Sequence, residues 1–186
     1  MMGGLALRLD KESFTYADIL EMDERVELIE GKLYMMAPPS TRHQLISAEL
    51  FFQLKAYVQG KPCQVIAAPF GVRLFPRAYQ QDDTFVEPDM VVVCDAAKLD
   101  EWGCNGAPDL IIEILSPSNA EYDKEIKFYQ YQKAGVLEYW IVNPWNPSVQ
   151  VNILKKGRYL TFEYPGIALV PVSVLPGCVI NLKEVF

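Results

Sequence analysis

Residues 108–127, PDLIIEILSPSNAEYDKEIK, constrain the fold of this chain more than any other stretch. Their first part, residues 110–115, is an aliphatic run that a single carboxylate, Glu113, interrupts. Continuous runs of this kind are typical of strands that are buried on both faces, as in parallel or mixed sheets. An ionised carboxylate in such a strand is costly unless a cation or hydrogen-bond donors meet it. The sequence therefore predicts an interior strand and a partner for Glu113.

The rest of the chain alternates between helical and strand patterns. Apolar residues at helical spacing predict three helices, the third with an N-cap at Ser118 or Asn119 and a C-cap at Gly135. These predicted helices cover residues 13–24, 41–58 and 120–134. The predicted strands cover residues 26–36 as a hairpin, 63–75 as one or two strands, 90–94, 109–115, 136–142, 149–162 as a second hairpin, and 179–180.

Residues 95–107 are expected to form a loop, and no repeat or linker divides the chain. The pattern of alternating elements predicts one α/β domain over residues 1–186, with a mixed β-sheet flanked by helices and a β-hairpin near each end.

Charge and hydropathy restrict the function classes. A net charge of −7 argues against a protein that coats nucleic acid nonspecifically, although a nuclease with basic residues in one cleft remains possible. No apolar run approaches the roughly 18–20 residues that span a membrane, and the N-terminus lacks a signal-peptide pattern. We therefore expect a soluble, cytoplasmic protein.

The cysteines and the histidine indicate no metal site of their own. The four cysteines, Cys63, Cys94, Cys104 and Cys178, form no CxxC pair, which argues against a zinc site or a disulfide framework. Cys94 and Cys178 lie in apolar runs, which suits small buried side chains. The only histidine, His43, rules out a multi-histidine metal site within one chain. It is expected to be a helix-start or surface residue, with a general base as the alternative.

Polar residues stand beside two successive core strands. Asp89 precedes the 90–94 strand, Glu113 lies within the next, and Lys127 shares a helix face with Asp123 at i, i+4. If the two strands are neighbours, Asp89 and Glu113 can bind one divalent cation, completed by a backbone carbonyl and waters. A nearby lysine could then stabilise a pentavalent phosphate or orient the attacking water. This set is the minimum for metal-assisted phosphodiester hydrolysis.

Each of these residues also has a structural explanation. Asp89 could be a loop residue or a cap, and a structural lysine or arginine could neutralise Glu113. Asp123 and Lys127 could be a solvated helix pair. Their joint occurrence in strand–strand–helix order favours the functional interpretation. Asp109 is a poorer metal ligand than Asp89, because it lies about 13 Å from Glu113 along the same strand.

The motifs together resemble those of a known family. The succession comprises Glu87-Pro88-Asp89, residues 108–118 (PDLIIEILSPS), Asp123 with Lys127, and residues 135–142, preceded by residues 27–31 (ELIEG), 34–38 and His43-Gln44. This combination resembles the Uma-two family, predicted restriction endonucleases with the PD-(D/E)xK nuclease fold. The resemblance extends from about residue 15 to about residue 159.

The resemblance implies a metal-dependent DNA endonuclease that uses Mg²⁺ or Mn²⁺. Asp89 matches the PD aspartate and Glu113 the acidic member of (D/E)xK. Leu115 occupies the usual lysine position, so the resemblance points to a lysine on the following helix, Lys127 or else Lys124. Asp123 would be a supporting carboxylate.

Glu30 could add a third acidic residue, as an N-terminal carboxylate does in related nucleases, or could serve only the turn in which it lies. The apolar C-terminal hairpin and the aromatic residues favour a homodimer, which suits a duplex with two strands to cut. Two alternatives remain open. One is a non-catalytic nucleic-acid-binding or interaction protein on a nuclease scaffold, and the other is a metal-dependent hydrolase of small phosphorylated ligands.

Overall fold

A computed structural model describes residues 11–78, 80–117 and 122–186. The strands are β1 (Val26–Ile29), β2 (Lys32–Met35), β3 (Gln64–Ala67), β4 (Val72–Arg73), β5 (Phe85–Val86), β6 (Met90–Val93), β7 (Leu99–Asp100), β8 (Gly103–Asn105), β9 (Leu110–Ile114), β10 (Glu138–Asn143), β11 (Ser148–Lys155), β12 (Arg158–Pro165), β13 (Leu169–Pro171) and β14 (Val179–Asn181). The α-helices are α1 (Tyr16–Ile19), α2 (Thr41–Val58), α3 (Phe128–Ala134) and α4 (Leu182–Val185). A 3-10 turn covers Ala96–Lys98, and a π-helix, Tyr122–Lys127, runs directly into α3.

The central sheet has the strand order β12-β11-β10-β9-β6-β3. Strands β9 and β10 are parallel and the other neighbours in this sheet are antiparallel, so the predicted mixed sheet is confirmed. Every residue of β9 is buried, as its aliphatic sequence predicts. A second sheet has the order β2-β1-β5-β4-β8-β7, and β13 and β14 form a separate pair.

The two faces of β9 belong to different layers because successive side chains of a strand point to opposite faces. Ile112 and Ile114 pack in a core that also contains residues of α2, α4 and β14. Ile111 and Leu115 pack in a second core with residues of α3 and of the second sheet. Glu113 lies two residues from both Ile111 and Leu115, so its side chain is on the same face of β9 as theirs. It therefore faces the layer that contains α3 and the second sheet.

Helix α2 has the predicted limits because its cap and its apolar face agree with the sequence pattern. The Ser40 hydroxyl accepts a hydrogen bond from the backbone N–H of His43 at 3.2 Å, which begins the helix. Ile46, Leu50 and Leu54 then bury one face of α2 against the central sheet. His43 is thereby fixed in the first turn of the helix.

Three other predictions of local structure hold in part or in full. Gly135 adopts the left-handed conformation (φ 89°) that ends α3. The turn between β11 and β12 also forms as predicted, with positive φ at both Lys156 and Gly157. Helix α1 forms but spans four residues, far fewer than the predicted 13–24. The predicted N-caps Ser118 and Asn119 lie outside the described residues.

Two expectations were wrong. Residues 95–107 contain the 3-10 turn and the β7–β8 hairpin, which are too short to produce a periodic sequence signal. Cys63 and Cys94 form a disulfide, because the antiparallel register of β3 and β6 places the residues just beyond Gln64 and Val93 opposite each other. Cys104 and Cys178 are free and buried, as predicted for Cys178. Among the described residues, none of the helices has both the length and the apolarity that crossing a bilayer requires.

Candidate active site

Strand register brings Asp89 and Glu113 together at one edge of the β6–β9 pair. Met90 lies opposite Ile112 in this antiparallel pair, so the next residues, Asp89 and Glu113, come opposite each other. The backbone N–H of Ile114 donates a 2.7 Å hydrogen bond to Asp89 Oδ2, and Glu113 Oε2 lies 3.4 Å from the Asp89 nitrogen. The two strands are therefore neighbours, as the hypothesis that Asp89 and Glu113 bind one cation requires.

Lys127 reaches this pair of carboxylates from the end of the π-helix. Its side chain is buried (residue exposure 3%), and its Nζ lies 2.8 Å from Glu113 Oε1. The same ammonium lies 3.5 Å from Asp123 Oδ1, one helical turn away. Lys124 is exposed, so the structure brings Lys127 rather than Lys124 to Glu113. Leu115, at the usual lysine position of the motif, is buried in the apolar core.

Glu27 is a member of the cluster that the sequence prediction missed. It is buried in the middle of β1, and its Oε1 lies 2.9 Å from Lys127 Nζ. The same oxygen accepts a hydrogen bond from the backbone N–H of Glu87 at 2.9 Å. The available signal was the one that identified Glu113, a single carboxylate within a short aliphatic strand.

Glu30 lies away from this cluster. It occupies the turn between β1 and β2 with φ 49°, and its half-exposed side chain pairs with Lys133 at 3.1 Å. The sequence left two interpretations of Glu30 open, a third acidic residue of the site or a residue that serves only the turn. Its position in the structure supports the role in the turn. Asp109 is also separate, because its carboxylate accepts a hydrogen bond from the Cys94 N–H at 2.7 Å.

His43 contacts the PD aspartate directly. Its side chain is buried, and its Nε2 lies 3.0 Å from Asp89 Oδ2. Burial lowers the pKa of His43, but the hydrogen bond and the charge of Asp89 raise it more, so the pKa lies above its ordinary value. The sequence identified this residue only as a helix-start histidine or a possible base. Its position against Asp89 depends on how α2 packs, which local pattern does not reveal.

The cluster carries more negative than positive charge. Glu27, Glu113 and Asp123 contact one ammonium, and Asp89 contacts His43 beside them. These four carboxylates and one ammonium leave a formal excess of three negative charges when all four are ionised and His43 is neutral.

The pKa values respond to burial and to this crowding. Burial raises the pKa of Glu113 well above its ordinary value, and that of Asp123 to about 6, although Lys127 opposes both shifts. Burial alone would lower the pKa of Lys127, but Glu113, Glu27 and Asp123 raise it well above its ordinary value.

A cavity of about 290 Å³ gives access to these side chains. Its lining includes the four carboxylates, His43 and Lys127, together with Arg25, Gln44 and Ser47 at its sides. The Tyr131 hydroxyl donates a 2.7 Å hydrogen bond to Glu113 Oε1 from the buried side. Lys127 and Tyr131 therefore both bind Oε1, and among the described residues Oε2 of Glu113 has only a long contact to the Asp89 nitrogen.

The donor set fits a hard divalent cation in part. Within the described part of the chain, no group of three or more His, Cys, Asp or Glu side chains is arranged as a ready metal site. Asp89 and Glu113 nevertheless offer carboxylate oxygens to the same cavity, and such oxygens with backbone carbonyls and waters are what Mg²⁺ and Mn²⁺ bind. Among the described residues, the buried Asp123 Oδ1 has no closer polar partner than the Lys127 ammonium at 3.5 Å, which also favours added positive charge.

A mixed sheet that presents an aspartate and a glutamate on neighbouring strands to a lysine from the next helix defines a restriction-endonuclease-like α/β protein. The chain belongs to the Uma2 family, whose description is "Putative restriction endonuclease" and whose sequence model matches residues 12–183. This is the Uma-two family that the motifs resemble, so that resemblance is confirmed.

Two known proteins are similar to this chain. The crystal structure of "a putative nuclease belonging to DUF820" from Anabaena variabilis ATCC 29413 matches with a TM-score of 0.74 and 24% identity, over 93% of this chain and 97% of that one. This likeness shows the fold. The uncharacterised protein slr1290 of Synechocystis sp. PCC 6803 is 26% identical over 145 residues, or 76% of this chain and 73% of the relative.

Proposed function

We propose that this chain, as a single restriction-endonuclease-like domain acting in the cytoplasm, is an endonuclease that hydrolyses DNA phosphodiester bonds with Mg²⁺ or Mn²⁺. One observation carries the proposal: Asp89 and Glu113 lie side by side at the cavity, and Lys127 contacts Glu113 at 2.8 Å. Membership of the Uma2 family supports the same reaction class.

Asp89 and Glu113 would hold the metal ion, which when bound supplies a Lewis acid and an acidified water. Lys127 would bind a phosphate oxygen or orient the attacking water, because an ammonium beside the cation stabilises developing negative charge. Asp123 and Glu27 would position that ammonium, with Glu27 in the supporting place that the resemblance suggested for Glu30.

His43 would orient the Asp89 carboxylate, which it contacts through Nε2. Because the pKa of His43 lies above its ordinary value, the same group holds its proton to a higher pH than an ordinary histidine does.

Cleavage assays with matched variants test this proposal. We expect the wild type to cut plasmid and single-stranded DNA only when Mg²⁺ or Mn²⁺ is added, and Glu113→Gln and Lys127→Met each to lose at least about a hundredfold in rate. Lys124→Met, an exposed lysine on the same π-helix, and Glu30→Gln should cut normally. Cutting that survives Glu113→Gln would refute the assigned site.

A non-catalytic binding protein is the second candidate, and one observation favours it. Three carboxylates already satisfy the Lys127 ammonium, which reduces its availability to a phosphate. In that case, calorimetry would show metal binding that Glu113→Ala abolishes, whereas no DNA or small phosphoester would be hydrolysed under any metal.

We also propose that the protein is a homodimer joined through strand β12. This strand ends the central sheet, and no described strand pairs with its outer side. Leu160 and Phe162 point outward and are about half exposed. The charged residues of β12, Arg158 and Glu163, flank a central stretch, residues 159–162, that carries no charge. An uncharged stretch of edge strand is a template for pairing with another chain.

The register of the β11–β12 hairpin makes this edge complementary to itself. Positive φ at both turn residues indicates a type I′ turn, whose hydrogen bond joins Lys155 and Arg158. Hydrogen-bonded pairs alternate along the hairpin, so Tyr159, Thr161 and Glu163 direct their backbone groups outward. Antiparallel pairing centred on Thr161 would join these groups to those of a second copy.

That register also places Leu160 of each protomer opposite Phe162 of its partner on one face, a favourable cross-strand pair. Light scattering with gel filtration should give a dimer for the wild type. Phe162→Arg should give a monomer, because each new charge would face Leu160 of the other protomer inside the interface. Ile167→Arg, an exposed apolar residue outside the strand, should remain dimeric. A monomeric wild type would refute the interface.

A further inference from the structure

A second, smaller cavity adjoins the proposed catalytic cavity. It has a volume of about 150 Å³, and His43, Pro38 and Ser116 line both cavities. Its remaining walls include Trp145, Pro144 and Arg42. The two cavities therefore lie side by side, so that a strand of nucleic acid in one is adjacent to the other.

The topology explains why Trp145 lies beside the catalytic residues. Strands β9 and β10 are parallel, and Ile114 is in register with Val142. Their carboxyl ends therefore leave the sheet at the same edge, which is where ligands bind in open α/β sheets. Glu113 lies near the end of β9, and Trp145 follows two residues after β10.

Trp145 is both exposed and rigidly mounted. Its residue exposure is 52%, whereas Trp140 on the preceding strand is fully buried. Asn143 holds the loop, since its Oδ1 accepts hydrogen bonds from the backbone N–H of Trp145 at 3.0 Å and of Asn146 at 3.2 Å. The ring of Pro144 fixes the backbone just before the indole. An aromatic side chain held in this way loses little freedom when a planar group binds to it.

The charge of the protein makes a stacking contact necessary for binding a nucleic acid. The chain carries a net charge of −7, and the catalytic cavity itself has excess carboxylate. General phosphate attraction, which supplies nonspecific affinity in basic proteins, is therefore weak here. Stacking of a base on an aromatic ring does not depend on net charge, and a neighbouring arginine adds a local cation.

We propose that this smaller cavity binds one unpaired nucleobase of the substrate strand, stacked on the Trp145 indole, with the Arg42 guanidinium on an adjacent phosphate. The cavity is too small for a base pair, so the preferred substrate is single-stranded DNA or an unpaired nucleotide rather than an intact duplex. This inference rests on the proposed function of the adjoining site, since it specifies the substrate of that site.

Fluorescence titration in EDTA tests the stacking without cleavage. The variant Trp102→Phe serves as the background, because it removes the other exposed indole and leaves only Trp145 and the buried Trp140. We expect a twelve-residue oligothymidylate to quench the emission. An abasic sugar–phosphate strand of equal length and the matching duplex should both bind at least fivefold more weakly.

The substitution Trp145→Ala should weaken binding of the oligothymidylate to the otherwise native chain about 5- to 100-fold by fluorescence anisotropy of a labelled strand. Trp145→Phe should retain most of the affinity, whereas Trp102→Ala should leave it unchanged. Equal affinity for the abasic strand, or no loss in Trp145→Ala, would overturn the inference. Base-dependent binding without any cutting in Mg²⁺ or Mn²⁺ would support this inference and refute only the nuclease activity.

Discussion

Replacing Lys127 with methionine tests the electrostatic account of the cluster through stability rather than activity. The ammonium is buried and lies within 2.8–3.5 Å of three carboxylates, on Glu27, Glu113 and Asp123. Methionine preserves most of the volume of the side chain and removes its charge. Loss of one partner from a buried ion cluster leaves the other charges uncompensated, which costs about 3–5 kcal/mol.

The cost should depend on pH, because protons can replace the lost ammonium. Burial already raises the pKa of Glu113 well above its ordinary value and that of Asp123 to about 6, and removing Lys127 would raise both further. A carboxyl group whose folded-state pKa is raised destabilises the fold as the pH rises from its unfolded value through its folded value. The variant should therefore lose little stability at pH 5 and the full amount at pH 8.

Urea unfolding at both pH values measures the difference, and Lys124→Met is the matched control. At pH 8 the Lys127→Met variant should also melt about 6–20 °C below the wild type, given a shift of about 2–4 °C per kcal/mol for a chain of this size. The exposed Lys124 should change stability by less than about 0.5 kcal/mol. A loss of equal size at pH 5 and pH 8 would refute the proposed proton compensation.

Three further predictions follow from the same site and core. Added Mg²⁺ should raise the melting temperature more at pH 8 than at pH 5, because Glu113 and Asp123 must lose protons before they favour a cation; an equal rise would contradict this. The pKa of the single histidine, His43, should lie above 6.5 by NMR titration and should fall in Asp89→Asn. An unchanged pKa in that variant would show that Asp89 does not raise it. Glu138→Gln should cost about 1–3 kcal/mol in urea unfolding, because both of its buried oxygens accept hydrogen bonds and an amide cannot match both donors.

The elements that depend on local pattern were predictable, and the arrangement that depends on packing was not. The aliphatic run around Glu113 predicted a buried strand, and the helical spacing of apolar residues over 41–58 predicted α2. Asp89 and Glu113 lie opposite each other because of the register between β6 and β9. The sequence of neither strand alone specifies that register. The disulfide between Cys63 and Cys94 is hidden for the same reason, since its partners are 31 residues apart.

The acidic members of the cluster show how a sequence signal can be present and still be assigned to the wrong residue. Glu27 and Glu30 lie on the same short hairpin, and the resemblance suggested Glu30 for the supporting place. Burial distinguishes them, because Glu27 stands inside an aliphatic strand whereas Glu30 precedes a glycine at a turn. The rule that identified Glu113, a lone carboxylate between aliphatic residues, applies equally to Glu27 and would have selected it.

The displaced lysine follows from the same physical requirement. Side chains two residues apart on a strand share a face, so a lysine at position 115 would have approached Glu113 along β9. Leu115 instead fills the apolar core, and Lys127 enters from the helix that covers that face. A buried glutamate requires a cation, but any element of the fold can supply it. The (D/E)xK motif, by contrast, requires the lysine two residues after the acidic residue. Lys127→Met combined with Leu115→Lys should therefore recover only part of the stability in urea unfolding, because an ammonium that approaches Glu113 along β9 leaves Glu27 and Asp123 without their cation.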